Sequence, residues 1–335
     1  MKIRIATLWL LWALAGVAPA QEASPHAIDV PSWFAQTFLD FREDIVDAAR
    51  EKKRLLVYFG QDGCPYCRML MTNNFSQRAI VDKTRRHFVA IELNIWGARE
   101  TTWMDGRTRS EKDLARFLDV QFTPTVLLLD ESGKAVVRMD GYWPPHRFEG
   151  ALDYAAQHRE AKEALGAYLG RSAKAPASAK LHDEPFFMPP PYDLKRAPGA
   201  KPLAVVFETT GCAACDELHR DGFRRAEVAA EVRRFDVARF GLGAATPLTT
   251  PDGRATTAAA WARELGVVYT PTIVLFDAKG AEAFRVAGYV RAFHLSGSFA
   301  YVADGGYRDE PSFQTWLQAR ADRMRARGER VELLE

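Results

Sequence analysis

The chain has 335 residues, 47% of them apolar and 26% charged, which exceeds the usual single-domain size and excludes a disordered or fibrous protein. Its 45 Lys and Arg nearly balance 43 Asp and Glu, and without Lys2 and Arg4 the counts become 43 and 43. A neutral chain has no broad attraction for nucleic acid or an anionic membrane, so no nucleic-acid partner is expected.

The first 20 residues read as a targeting segment. Lys2 and Arg4 precede an apolar core over 5–17, too short to span a bilayer comfortably, and Ala18-Pro19-Ala20 supplies small residues before a cleavage point. A cleavable signal peptide is expected, with an uncleaved anchor as the alternative. No cysteine stands beside the cleavage point, which argues against a lipoprotein. The mature protein is then expected in the periplasm, where disulfides persist. Within 21–53, Phe34, Phe38, Phe41, Ile45 and Ala48 recur at spacings of three and four, the stripe of an amphipathic helix.

An apolar run over 55–59 has strand length, and Cys64 and Cys67 then open a helical pattern whose inward face holds Met69, Leu70, Phe75, Ile80 and Val81. A second strand is expected over 88–93. Residues 94–109 form a polar insertion carrying Trp96 and Trp103, which either rim a groove or pack. A short helix over 111–118 precedes Thr123-Pro124-Thr125. A hairpin of 126–129 and 135–139 turns at Glu131-Ser132-Gly133-Lys134, and a helix over 147–159 closes the unit.

The second half repeats this plan: a strand over 203–207, a helix after Cys212, a strand over 235–237, and a Gly/Thr/Pro-rich insertion over 241–253. A helix over 258–265, Thr270-Pro271-Thr272 and a hairpin of 273–276 and 283–286 complete it. Cys212 lies 148 positions after Cys64, Pro271 lies 147 after Pro124, and Gly288 lies 147 after Gly141. Three landmarks in register with matched flanks indicate an internal repeat. The expected organisation is a signal peptide over 1–20, one domain over 21–164, a partly extended Ala/Ser/Pro-rich linker over 165–202, and a second domain over 203–335 that ends in an amphipathic helix through Phe313, Trp316 and Leu317.

The four cysteines are all used in two CxxC pairs. A cysteine at the start of a helix has its thiolate stabilised by unpaired N–H groups, and a partner one turn on is close enough to bridge. Cys64 and Cys212 are therefore assigned as attacking thiols, and Cys67 and Cys215 as resolving ones. Pro65 suits the first helical turn because its missing N–H has no partner there. Zinc held by all four thiolates is the competing use of two such pairs, but each pair follows a strand and opens a helix in its own repeat. Structural disulfides are a further alternative.

The order strand, CxxC helix, strand, helix, Thr-Pro and hairpin resembles the thioredoxin superfamily. Phe59-Gly60-Gln61-Asp62-Gly63-Cys64-Pro65-Tyr66-Cys67 and Thr123-Pro124-Thr125 resemble its periplasmic branch, including the SoxW-like thioredoxins. The resemblance implies an α/β fold of two tandem thioredoxin-like domains, each a mixed central sheet flanked by helices. It implies cis peptide bonds at Pro124 and Pro271, with Thr123 and Thr270 offering backbone to a bound peptide beside Pro65 and Tyr66. It implies no metal or organic cofactor. Two departures stand out. The carboxylate that the family buries six residues before the first cysteine is replaced by Tyr58 and Val206, and the dipeptide Ala213-Ala214 matches no familiar set. The expected activity is thiol–disulfide exchange on exported proteins, as a reductase renewed by a membrane or periplasmic electron donor. A disulfide oxidase or isomerase, and a non-catalytic peptide-binding scaffold with structural disulfides, are the alternatives. Oligomeric state is not legible. His219 reads as a surface or helix-packing residue. Tyr142, Trp143 and Tyr289 read as domain core, and the basic runs 50–54 and 320–327 as solvated helix faces.

Overall fold

The structure is a computed structural model that describes residues 28–172, 180–267 and 269–331. The expected signal peptide lies outside them.

In the first unit, helix α1 (Phe41–Arg50) starts at Asp40, whose carboxylate accepts the Arg42 N–H and caps the helix. The expected stripe is cut here. Leu39 has φ of 60°, a left-handed conformation that no helix passes through, so Phe34 is buried in a loop and Phe38 is 99% exposed. Strand β1 (Arg54–Gly60) is buried throughout and leads into α2 (Pro65–Met69), a π-helical turn over Leu70–Asn74, and α3 (Arg78–His87). Strand β2 (Phe88–Asn94) is followed by a small hairpin, β3 (Glu100–Thr102) and β4 (Thr108–Ser110), inside the polar insertion. Helix α4 (Glu111–Phe117), the β5–β6 hairpin (Thr125–Leu129 and Ala135–Asp140) and α5 (Pro145–Ala156) finish the unit.

The sheet order is β2-β1-β5-β6, with β1 parallel to β2 and antiparallel to β5. A parallel neighbour needs a crossover, and the CxxC helix supplies it. Both sheet faces are therefore covered, which explains why β1 is apolar without alternation. One expectation fails at the start of β1. Arg54, in the basic run read as solvated, is 6% exposed and pairs with Glu131 (2.9 Å) and Glu160 (2.8 Å), because strand β1 carries it under both acids.

Helix α6 (Leu165–Ser172) and a short strand β7 (Tyr192–Asp193) occupy the described parts of the expected linker, and Leu194 there is fully buried. The second unit then repeats the first: β8 (Leu203–Glu208), α7 (Ala213–Glu217), a π-helical turn over Leu218–Phe223, α8 (Ala226–Val232) and β9 (Asp236–Gly241). Next come β10 (Pro247–Thr249), β11 (Ala255–Thr257), α9 (Ala258–Glu264), β12 (Thr272–Phe276), β13 (Glu282–Ala287) and α10 (Ala292–Ala303). Its sheet order is β9-β8-β12-β13, the same as the first, and β7 pairs in parallel with β10. Two helices extend it, α11 (Gly306–Asp309) and α12 (Phe313–Ala326), the latter capped by the Ser312 hydroxyl. Among the described residues no helix is long and apolar enough to cross a membrane.

Asp44 on α1 offers a test of local electrostatics. Burial pushes its carboxyl up to about 6, against the Thr37 hydroxyl bond of 3.2 Å and with help from neighbouring acids. The folded state thus holds this proton more tightly than the unfolded chain, and stability is lost as pH rises from about 4 through about 6. Asp44→Asn is expected to stabilise the protein by about 1 kcal/mol at pH 7, and not at all near pH 3, when followed by urea unfolding.

Candidate active site

At the first site, β1 delivers the chain to a turn in which Gly63 has φ of 72°, a value glycine adopts without strain. Cys64 then caps α2 with its sulfur, which accepts the Cys67 N–H at 3.0 Å. Pro65 takes the first helical position, and Cys64 and Cys67 form a disulfide with Cα atoms 5.2 Å apart. The Thr123–Pro124 peptide bond is cis, and the Thr123 carbonyl oxygen lies 3.5 Å from Cys64 Sγ. The second site has the same build. Cys212 caps α7 and accepts the Cys215 N–H at 3.1 Å, and the two form a disulfide with the same 5.2 Å Cα separation. The Thr270–Pro271 bond is cis, and the Thr270 hydroxyl reaches Cys212 Sγ at 3.6 Å. Each Thr-Pro segment is thus brought to its own CxxC pair. Cys67 and Cys215 are buried at 0% and 1%. Cys64 is 4% exposed, whereas Cys212 is half-buried and the more open of the two leading cysteines.

The two sites face each other. Phe122 and Tyr269 occupy the same place in the two repeats, the residue before Thr-Pro. Tyr269 packs into the core of the first unit and Phe122 into that of the second. Trp143 is stacked on Tyr269 with ring centres 4.8 Å apart, and Tyr66 of the first CxxC meets His294 of α10 edge-on at 5.0 Å. Gln121 on one side bonds the Phe313 N–H (3.0 Å) and the Gln314 side chain (2.7 Å) on the other. Trp143 is core of the first unit as expected, while Tyr142 and Tyr289 are only partly buried and pack against the two cores from outside. All three lie where the units meet, because the loops after both hairpins, near Gly141 and Gly288, converge there.

Beside Cys64 this packing leaves a groove of about 330 Å³. One wall holds Gln61, Pro65, Trp96 and Thr123, and the other Gln314 and Leu317 of α12. The two insertion tryptophans divide accordingly. Trp96 is 42% exposed and its indole N–H donates to Gln61 Oε1 at 2.5 Å, while Trp103 is buried against Phe41.

The largest surprise lies behind the second CxxC. His219 is 2% exposed, neither a surface nor a simple packing residue: its Nε2 meets Glu208 Oε1 at 2.7 Å and its Nδ1 meets Glu184 Oε1 at 2.9 Å. His182 stacks on it at 4.3 Å and bonds Asp216 at 2.6 Å. Burial by itself pushes the His219 imidazole down, but the hydrogen bonds and charges of Glu208 and Glu184 outweigh it and raise its pKa. Glu208 is fully buried, and its Oε2 has no hydrogen-bond partner among the described residues. The first unit has Gly60 at this position, and a Cβ added there would collide with the Tyr58 hydroxyl. Tyr58 with Gly60, and Val206 with Glu208, thus exchange bulk so that each strand holds one polar group behind its CxxC. The second domain does bury a carboxylate, two residues further along the strand than the family position. The visible signal was a lone glutamate closing the apolar run 203–207.

Thioredoxin-like domain is the family that matches this chain, at residues 41–156 and again at 191–303. Among solved structures, a thioredoxin-fold protein from Helicobacter pylori is 26% identical with a TM-score of 0.34, covering 36% of this chain and 84% of its own. A thioredoxin from Thermus thermophilus is 24% identical with a TM-score of 0.28, covering 34% of this chain and 82% of its own. A disulphide isomerase from Xylella fastidiosa is 16% identical with a TM-score of 0.27, covering 40% and 98%. No curated protein is similar enough to this chain to count as a relative. With two matches that repeat the same strand–CxxC–helix plan, the chain belongs to the thioredoxin-like domain family.

Proposed function

We propose that this protein is a periplasmic thiol–disulfide oxidoreductase working in the reducing direction on exported proteins. The observation that carries the reading is the pair of CxxC disulfides, each at a helix start and each beside its own Thr-Pro segment. In the dithiol form the Cys64 thiolate attacks a client disulfide, forming a mixed disulfide and releasing one client thiolate. Cys67, deprotonated, then attacks Cys64 Sγ. The second client thiol leaves and Cys64–Cys67 closes, so two electrons have passed to the client. A dithiol donor outside the cytoplasm restores the pair by the reverse exchange. Thr123, Pro124, Pro65 and Tyr66 form the client face of the first site, and Thr270 and Pro271 that of the second, with Cys212 attacking and Cys215 resolving.

The burial of Cys64 favours a second reading, a scaffold whose disulfides are structural. The two are separated by equilibrating mature protein in glutathione buffers, with Cys212→Ser/Cys215→Ser or Cys64→Ser/Cys67→Ser leaving one pair at a time. The expected result is that both pairs exchange, and that the first is more reducing than the glutathione couple. A pair well on the oxidising side makes the protein an oxidase or isomerase, and failure of both pairs to exchange leaves the scaffold.

A further inference from the structure

Between the two CxxC loops lies a second cavity, of about 230 Å³, whose walls come from both units: Tyr66 on one side, Ala213 and Ala214 on the other. Its charge is unusual. Arg147 and Arg291 both line it, and among the described residues neither guanidinium has a hydrogen-bonded or ion-paired acid. The Arg147 guanidinium sits 4.8 Å from the Tyr269 ring centre and 5.4 Å from that of Trp143. Burial pushes its pKa down to about 10, with only the charge of Glu217 acting the other way. Glu217, the one acid on the wall, is exposed to solvent. His294 lines the same cavity with Nδ1 buried and unpartnered, and burial lowers its pKa to about 4, so at neutral pH it adds a neutral polar group. His146 is the other histidine there, its pKa lowered by partial desolvation and by the charge of Arg147.

Arg147 is half-buried, and a guanidinium partly withdrawn from water without a carboxylate is disfavoured, so a ligand that supplies the anion relieves that penalty. Arginine's planar fork matches an oxyanion in two-point geometry. Tyr66, Phe122, Tyr142, Trp143, Tyr269 and Tyr289 supply much of the remaining lining, so the body of such a ligand meets ring faces. The volume lies below the usual range for drug-sized ligands, which restricts the occupant to a small molecule. We infer that this cavity is a binding site for a small organic acid, its carboxylate paired with Arg147 and Arg291 and its apolar body among Tyr66, Trp143, Tyr269 and Tyr289.

The occupant would touch both CxxC loops, yet the inference does not depend on the redox reading, because the test reads binding with both disulfides closed. Oxidised mature protein is titrated with benzoate, acetate and inorganic sulfate by calorimetry and by thermal unfolding. Benzoate is expected to bind most tightly and to raise the melting temperature. Arg147→Gln is expected to weaken benzoate at least tenfold while melting, without ligand, no lower than wild type. Should Arg147→Gln not fold, Arg291→Gln reads the same loss. Three results overturn the site: no benzoate binding, binding unchanged by either arginine variant, or sulfate binding as well as benzoate, which describes a plain oxyanion patch.

Discussion

Cys64→Ser is expected to lower insulin disulfide reduction by at least about a hundredfold at the first site, because a serine hydroxyl is scarcely ionised at neutral pH and cannot replace the thiolate. The measurement uses Cys212→Ser/Cys215→Ser protein as the background, with dithiothreitol as donor and precipitation of the insulin B chain as the readout. Cys67→Ser on the same background should behave differently. It retains the attacking thiol but not the one that releases the client, so it should accumulate a mixed disulfide that is visible by mass. That contrast distinguishes a nucleophile from a residue whose loss merely loosens the fold. The accessible surface also sets a competing expectation. Cys212 is more open than Cys64, which is buried beside Thr123 and faces α12 across the groove. If Cys64→Ser alone leaves reduction intact and Cys212→Ser alone removes it, the second site carries turnover and the first is the relay or structural copy.

Glu208→Ala should be the most damaging single change outside the cysteines. It leaves the imidazolium of His219 buried with only Glu184 as counter-charge, and removing one partner of a buried pair typically costs about 3–5 kcal/mol. Glu208→Gln keeps the shape and a hydrogen bond to Nε2, so its loss should be smaller. The pH dependence gives the sign. His219 has a folded-state pKa raised above its ordinary value, so the stability it contributes is complete below about 6.5 and is lost as pH rises through the raised value. Urea unfolding of the wild type should therefore show stability falling on the alkaline side, and Glu208→Ala should flatten that slope. A wild-type profile with no fall above neutrality would mean that the imidazole is neutral in this network. The same pair bears on the chemistry. His219 lies one helical turn beyond Cys215, where Cβ atoms are about 6 Å apart, so a charge on it would be felt at the second pair, whereas the first domain has an uncharged phenol from Tyr58 behind its own pair. Burial keeps that phenol protonated. Two pairs built on one plan thus sit in different fields, which is a reason to expect different potentials.

What the sequence determined by itself was everything set by local pattern or by repetition. The strands show as apolar runs, the hairpins are punctuated by Ser132-Gly133 and Lys279-Gly280, and the CxxC pairs stand at helix starts. The constant offset between repeats made one unit a template for the other, and both sheets have the same strand order. What only the tertiary structure decided was the partner of each side chain across long sequence separations. Spacing placed Phe34, Phe38 and Phe41 on one helix, but the left-handed backbone at Leu39 divides them. Composition made Arg54 a solvated residue, while the sheet puts it between Glu131 and Glu160. His219 had an unremarkable place on its helix until the strand end brought Glu208 to it. Most of all, nothing local marks Phe122 and Tyr269 as residues that exchange places between the units, since each looks like an ordinary core aromatic before Thr-Pro. Propensity and periodicity act within a few residues of chain, whereas burial and charge pairing depend on distances that exist only after the chain has closed on itself.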